Sequence, residues 1–190
     1  MNLKNLLSKK KKTILKRWFD LIVETYPPET KQFLKSQKDR FSNPVGSTIY
    51  QGMEDIFDQL LQDGDSEKIC TYLDNVIRIR AVQEFTASQA LVFIFHLKKV
   101  IREELKDEIS KKGLSDELLA LESSIDEVAL LSFDIFMKCR EQVYELKANE
   151  VKRMTFSLLK RANLIFDIDE QEADPPAKDV VKIDNLTEKR

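Results

Sequence analysis

The sequence predicts an all-α protein. Charged residues make up 34% of the chain and apolar residues 42%, while only four Gly and five Pro occur among 190 residues. This usage is typical of helix-rich globular domains. Apolar residues also recur at spacings of three and four along most of the chain, which is the period of one face of an α-helix. We therefore expect a helical bundle long enough to enclose a full hydrophobic core.

The first helix is predicted from about residue 13 to residue 25 and is ended by Tyr26-Pro27-Pro28. Its apolar face consists of Leu15, Trp18, Phe19 and Ile22. A short second helix is expected from about residue 28 to residue 37. The basic run from Lys9 to Lys12 precedes the first helix; it could touch a membrane surface or an acidic partner, but a solvated helix end is the favoured interpretation.

Asn43 and Pro44 predict the start of the third helix, because Asn accepts a hydrogen bond from a free backbone N–H and Pro needs no partner for its own nitrogen. Apolar residues follow at helical spacing to about residue 62: Val45, Ile49, Met53, Ile56, Phe57 and Leu60. Gly52 lies on the same side, which indicates a close crossing with another helix.

A fourth helix is predicted after the turn at residues 63 to 66, and it ends near Val82. At 100° per residue, Arg80 falls near the middle of the apolar face of this helix. Two interpretations stay open. Arg80 binds an anionic ligand between helices, or it snorkels at the helix end, where it covers the last carbonyls or pairs with Glu84.

Thr86 and Gln89 match a capping box and predict the start of a central helix. The segment from Leu91 to Leu97 is apolar on nearly all sides, which is typical of a helix surrounded by others. This helix is expected to continue to Gly113, since Gly is the usual residue after a helix C-terminus.

The last helix is predicted from Ser115 to Phe166, because no Gly or Pro occurs between Gly113 and Pro175. Its expected core stripe consists of Leu118, Leu121, Ile125, Val128, Ile135, Cys139, Val143 and Leu146. Such a helix would be about 78 Å long, which exceeds a globular domain. We therefore expect residues 1 to 166 to form the helical domain and residues 167 to 190 to form an acidic, disordered tail.

Several helix-boundary motifs in this chain point to one family. They are Trp18-Phe19, Glu24 to Pro27, Lys38 to Gly46, and Arg78 to Thr86. Together they resemble the N-terminal sensor domain of the RsbT co-antagonist proteins RsbR and RsbRD, which are components of bacterial stress-signalling complexes. The resemblance covers most of residues 13 to 146.

The resemblance implies a globin-like all-α fold that dimerises, binds no haem and sends its last helix into a C-terminal STAS domain. Because the chain ends at Arg190, we expect no STAS domain here and a signal that passes to a separate protein. Stand-alone domains of this kind are also associated with sulfate-respiring bacteria, near a membrane-bound redox complex.

Composition and motifs speak against several function classes. His96 is the only His and accompanies no nucleophile motif, so we expect neither an enzyme nor a catalytic residue. Cys70 and Cys139 are far apart in sequence and suggest no metal site, and no cofactor is expected. A net charge of −2 predicts no nucleic-acid partner. With no apolar span and no signal peptide in the sequence, a cytoplasmic location is expected.

Two sets of residues are candidates for functional contacts. The favoured interpretation places the aromatic residues Trp18, Tyr26, Phe41 and Phe95 in the core and makes His96 a structural residue. A small-molecule ligand, if the protein has one, is expected among Trp18, Tyr26, Arg40, Phe41, Arg80, Phe95 and His96. Homodimer contacts are expected on the last helix, outside its core stripe, at Leu119, Leu130, Leu131, Phe133 and Phe136.

Three functions remain open from the sequence. The leading hypothesis is a non-enzymatic sensory or regulatory dimer that passes a signal through its last helix to a separate partner. The second is an interaction accessory of a membrane-bound redox complex, and the third, with the least support, is a haem-binding gas sensor.

Overall fold

The computed structural model describes residues 2–36, 43–62, 64, 66–83 and 85–162, apart from the side chains of residues 36 and 66. These residues form seven α-helices: α1 (Leu3–Val23), α2 (Pro28–Ser36), α3 (Pro44–Leu61), α4 (Ser66–Val82), α5 (Ala87–Glu104), α6 (Lys106–Lys112) and α7 (Ser115–Arg161). The predicted all-α class and the long last helix are thereby confirmed. The chain divides into two compact units, Met1–Leu146 and Lys147–Arg190. The predicted domain boundary near residue 166 and the tail lie outside the described residues.

Helix α1 begins ten residues earlier than predicted. Asn2 caps it by accepting a hydrogen bond from the Asn5 backbone N–H at 3.0 Å, and the first turns bury Leu3, Leu6 and Leu7. The backbone N–H of Leu3 also donates to the Glu117 carboxylate at 2.7 Å, which joins the start of α1 to the start of α7.

The basic run lies within α1 and not at a helix end, so that part of the favoured interpretation was wrong, whereas Lys9 and Lys12 are solvent-exposed as expected. The Lys10 ammonium pairs with Glu108 of α6 at 2.8 Å. On the other side, Lys11 pairs with Glu54 at 2.9 Å and with Asp58 at 2.7 Å, both in α3. Lys10 and Lys11, which interrupt the apolar pattern in the sequence, therefore join α1 to α6 and α3 through ion pairs.

Helices α3 and α4 begin and cross as predicted. The Asn43 side chain accepts from the Gly46 N–H at 2.8 Å, with Pro44 in the first turn. A Cβ atom added at Gly52 would lie 2.5 Å from a Val76 methyl carbon, so only Gly permits this approach of the two helices.

The predicted central helix is divided into α5 and α6. Its Thr86–Gln89 capping box is present, and Gly113 is left-handed at φ 63° after α6. Between them, Leu105 leaves the helical conformation (φ −114°, ψ 11°) and is fully buried. No Gly or Pro marks this break, so the sequence pattern could not show it.

The core face of α7 includes most of the predicted stripe but is wider: Ile125, Val128 and Cys139 are buried as predicted, and Leu118, Leu121 and Ile135 pack against the core partly buried. Within the first unit its buried residues are Glu122, Ile125, Val128, Ala129, Ser132, Phe136 and Cys139. Ser132 fits this face because its hydroxyl donates to the Val128 carbonyl at 2.7 Å. Leu146, expected in the stripe, is 70% exposed, whereas Phe136, expected outside it, is 3% exposed.

Candidate functional site

Arg80 lies in the last turn of α4, on the same side as Leu73 and Val76, and is completely buried. Its Nε donates to the Ala90 carbonyl at 2.9 Å. Its Nη2 donates to the Gln89 carbonyl at 2.8 Å and to the Thr25 hydroxyl at 2.9 Å. The snorkelling interpretation was therefore wrong, because the guanidinium turns inward and joins the ends of α1 and α4 to the first turns of α5.

Two aromatic rings cover the Arg80 guanidinium. Its Cζ lies 4.3 Å from the ring centre of Phe85 and 5.1 Å from that of Tyr26. The two rings also contact each other edge to face, with centroids 5.2 Å apart. Ring faces attract a cation, most strongly where water is excluded. We call this set of side chains, Thr25, Tyr26, Arg80, Gln83 and Phe85, the Arg80 cluster.

Carbonyl, hydroxyl and ring dipoles surround the Arg80 charge; within the described part of the chain no carboxylate pairs with it. Glu84, the predicted partner, lies outside that part. Burial lowers the pKa of Arg80 and raises that of Tyr26, with each group partly offsetting the shift of the other. The Tyr26 hydroxyl, Arg80 Nη1 and Gln83 Oε1 are buried without a hydrogen bond in ideal geometry. These three buried polar atoms of the Arg80 cluster are thus available for further hydrogen bonds.

A second feature is an apolar groove of about 690 Å³ on the surface of the first unit, between α5 and α7. It is lined by Ala87, Ser88, Leu91, Val92, Phe95, Asp126, Ala129, Leu130 and Phe133. Leu130 is 70% exposed and the two phenylalanines about half exposed. Asp126 at its rim is already paired with Lys98 at 2.6 Å. The α5 helix is therefore not apolar and enclosed on all sides, as the sequence suggested, because Phe95 faces this groove.

The candidate dimer residues of α7 separate into two groups. Leu119, Leu130 and Phe133 are exposed, and Met137, which sequence reasoning missed, is 41% exposed one turn beyond Phe133. Leu131 is half-buried against the core. The buried Phe136 contributes to the core of the protomer, so the prediction that it contacts a second subunit is wrong.

Those candidate ligand residues that the structure describes do not form one pocket. Tyr26 and Arg80 come together, whereas Trp18 stacks on Phe93 with ring centroids 6.1 Å apart and donates to the Phe93 carbonyl at 2.6 Å. Phe95 lies in the groove. Arg40 and Phe41 lie outside the described residues. The Arg80 cluster also contains Thr25, Gln83 and Phe85, which the sequence analysis did not select although all three belong to the quoted motifs.

His96 lies on α5 with a partly exposed ring, and its Nδ1 is buried without a hydrogen-bond partner. Burial lowers the pKa of His96, and the nearby charge of Lys99 lowers it further. Across the described residues there is no group of three or more His, Cys, Asp or Glu side chains arranged to hold a metal ion. The helices of this part of the chain also include none that is long and apolar enough to cross a membrane.

Fold and site together define an all-helical domain with a buried arginine cluster and an exposed apolar groove. Over residues 12–151, the chain matches the family model described as the RsbT co-antagonist protein rsbRD N-terminal domain. The chain belongs to this family, as the boundary motifs predicted. Comparisons with curated proteins and with solved structures gave no match.

Proposed function

We propose that this chain is a non-enzymatic sensory or regulatory module of stress signalling, that it acts as a homodimer, and that it passes a signal through its last helix to a separate protein. Membership of the rsbRD N-terminal family supports the signalling role. The observation that carries the dimer is the apolar groove between α5 and α7.

The groove offers enough apolar surface for a stable pair. Phe95, Leu130 and Phe133 in the groove, and Met137 one turn beyond Phe133, are between 41% and 70% exposed in the single chain. Because these four side chains are on average about half exposed, burying them contributes roughly 3 to 6 kcal/mol in each copy before the entropy of association is subtracted. Among the described lining residues the only carboxylate, Asp126, is paired within its own chain, so a second copy buries no unpaired acid from this set.

The Arg80 cluster is suited to regulate this surface. Arg80 holds the carbonyls of Gln89 and Ala90 in α5, and the neighbouring residues Ser88 and Leu91 line the groove. A ligand or partner that changed the hydrogen bonds of Arg80 would shift the first turns of α5 and with them one wall of the dimer surface.

The dimer is tested by light scattering at low micromolar concentration with the wild type, Leu130→Glu and Phe133→Glu. We expect a dimeric wild type and two monomeric variants, because a buried unpaired carboxylate opposes association. Val82→Glu is the matched control: Val82 is 67% exposed but does not line the groove, so this variant should remain dimeric.

A monomeric wild type, or a dimer that tolerates both groove charges, would contradict the homodimer. If the wild type is monomeric and binds a membrane redox subunit that the groove variants do not bind, the interaction-accessory alternative would replace the homodimer.

Sensing is tested separately: a small molecule that binds only the folded protein raises its Tm, and Arg80→Met should remove that increase.

A further inference from the structure

The α7 segment from Lys147 to Arg161 carries an apolar stripe that nothing in its own compact unit covers among the described residues. Val151, Met154 and Leu158 are 61%, 60% and 62% exposed. Their spacing of three and four residues is that of alternating a and d positions in a coiled coil. A helical segment of this length is only marginally stable without a partner for its apolar side.

Basic residues outnumber acidic residues in this segment. It contains five basic residues, Lys147, Lys152, Arg153, Lys160 and Arg161, and a single acid, Glu150, so five minus one gives a net charge of +4. Lys147 and Arg161 each lie seven residues from Met154 and therefore continue the apolar stripe at its two ends.

We propose that this segment is the docking face for an acidic amphipathic helix of a separate protein. The partner helix places apolar residues against Val151, Met154 and Leu158 and an Asp or Glu opposite Lys147 and Arg161. This inference rests on the proposed function, since it gives the chemistry of the partner that receives the signal, but it uses none of the groove residues.

A second copy of the segment fits this face poorly. In a parallel pair, Lys147 would face Lys147 and Arg161 would face Arg161. In an antiparallel pair centred on Met154, Lys147 would face Arg161. Both arrangements place like charges in the apolar seam, which is destabilising.

Two other anionic occupants are less suitable. Residues 167 to 174 of this chain carry five acids and no base, but Ile168 is their only large apolar residue, so they cannot cover three exposed side chains. An anionic membrane would attract the basic segment and repel this acidic stretch, which follows it closely in the sequence.

The test uses the full-length protein and two synthetic three-heptad peptides that have Leu at the three a and d positions opposite Val151, Met154 and Leu158. The acidic peptide has Glu at the two flanking seam positions, opposite Lys147 and Arg161, and at most outward-facing positions, with Ala at the rest. The basic peptide has Lys in place of each Glu. Binding is measured by fluorescence anisotropy at low and at high salt. We expect the acidic peptide to bind, its affinity to fall with salt, and the basic peptide not to bind.

Three variants locate the binding face, and circular dichroism checks that each remains helical. Met154→Glu and Leu158→Glu should each weaken binding of the acidic peptide by about 10- to 100-fold, because each buries a charge in place of an apolar side chain. The double variant Lys147→Glu/Arg161→Glu should lose the acidic peptide and bind the basic one. Val82→Glu is the control, because Val82 is an exposed apolar residue of the first unit outside both proposed contact surfaces, and it should bind the acidic peptide like the wild type.

The proposal is overturned if the acidic peptide does not bind, if both peptides bind equally, or if Met154→Glu binds as the wild type does. Tighter binding to vesicles of anionic phospholipid than to the peptide would also overturn it. None of these results alters the oligomeric state measured with the groove variants, so the dimer and the docking face can fail independently.

Discussion

The buried side and the exposed side of the first unit use the same residue types for different purposes. Phe93 and Phe95 are two residues apart in α5, yet Phe93 is fully buried against Trp18 whereas Phe95 is 50% exposed in the groove. Residues two positions apart in a helix point about 200° away from each other, so Phe93 faces the core and Phe95 faces the surface. Apolar character alone therefore does not tell which contact a residue makes.

The arginines show the same contrast. Arg80 is enclosed and bonds to uncharged oxygens under two aromatic rings. Arg17 lies on the surface, where its side chain is 42% exposed and pairs with Glu103 and Glu104. Surface ion pairs contribute little to stability, whereas removing a buried, bonded group leaves a cavity and unpaired partners.

The largest effect is expected for Arg80→Ala. It should lower the free energy of unfolding by about 3 to 5 kcal/mol, like the loss of a large buried side chain. Arg80→Lys should recover little of this, because a single ammonium group cannot reproduce the planar fork that meets three acceptors. Arg17→Ala, the surface control, should cost less than about 1 kcal/mol.

Urea unfolding at one fixed protein concentration measures all three variants. If Arg80→Ala cost no more than Arg17→Ala, the contrast between the buried and the surface arginine would be unfounded. Arg80→Met retains most of the side-chain volume. Comparing its free energy of unfolding with that of Arg80→Ala therefore separates the contribution of packing from that of hydrogen bonding.

Much of the fold could be predicted because local chemistry fixes it. Local chemistry explains four features. Asn43 and Thr86 supply a side-chain acceptor at a helix start, and Gly52 and Gly113 permit a close crossing and a left-handed turn because Gly has no Cβ. The start of α1 and the break at Leu105 could not be predicted in this way. Both depend on tertiary partners, since the lysines of α1 find acids on α3 and α6 and Leu105 is held by the core.

The caps give the next prediction. Thr86→Ala should cost about 1 kcal/mol, the usual value for an exposed cap. Asn43→Ala should cost more, about 2 kcal/mol, because Asn43 is buried and its Nδ2 also donates to the Leu34 carbonyl at 3.1 Å. Asn43→Asp retains the cap acceptor but places a buried carboxylate oxygen against the Leu34 carbonyl, so it should cost at least as much as Asn43→Ala. Equal losses for Thr86→Ala and Asn43→Ala in urea unfolding would show that burial does not strengthen the second cap.

The candidate site could be predicted only in part. The sequence indicates Arg80 because its charge interrupts the apolar face of α4. It indicates Phe133 because α7 has more apolar residues than its core stripe contains. The assignment of Phe136 to a subunit contact was wrong because the core face of α7 is wider than the predicted stripe and includes both Phe136 and its neighbour Ile135.

The smallest effect is expected for Phe95→Ala when the protein is monomeric. In the monomer the half-exposed Phe95 ring contributes less than a core side chain, so the loss should stay below about 1 kcal/mol, against about 3 to 5 kcal/mol for Phe93→Ala. If a second copy covers the groove, Phe95→Ala should cost more at protein concentrations that favour the dimer, since association stabilises the folded chain by mass action. Unfolding of both variants at low and high micromolar concentration measures this difference. A loss for Phe95→Ala that stays constant between the two concentrations would mean that the exposed side of α5 does not contribute to the dimer.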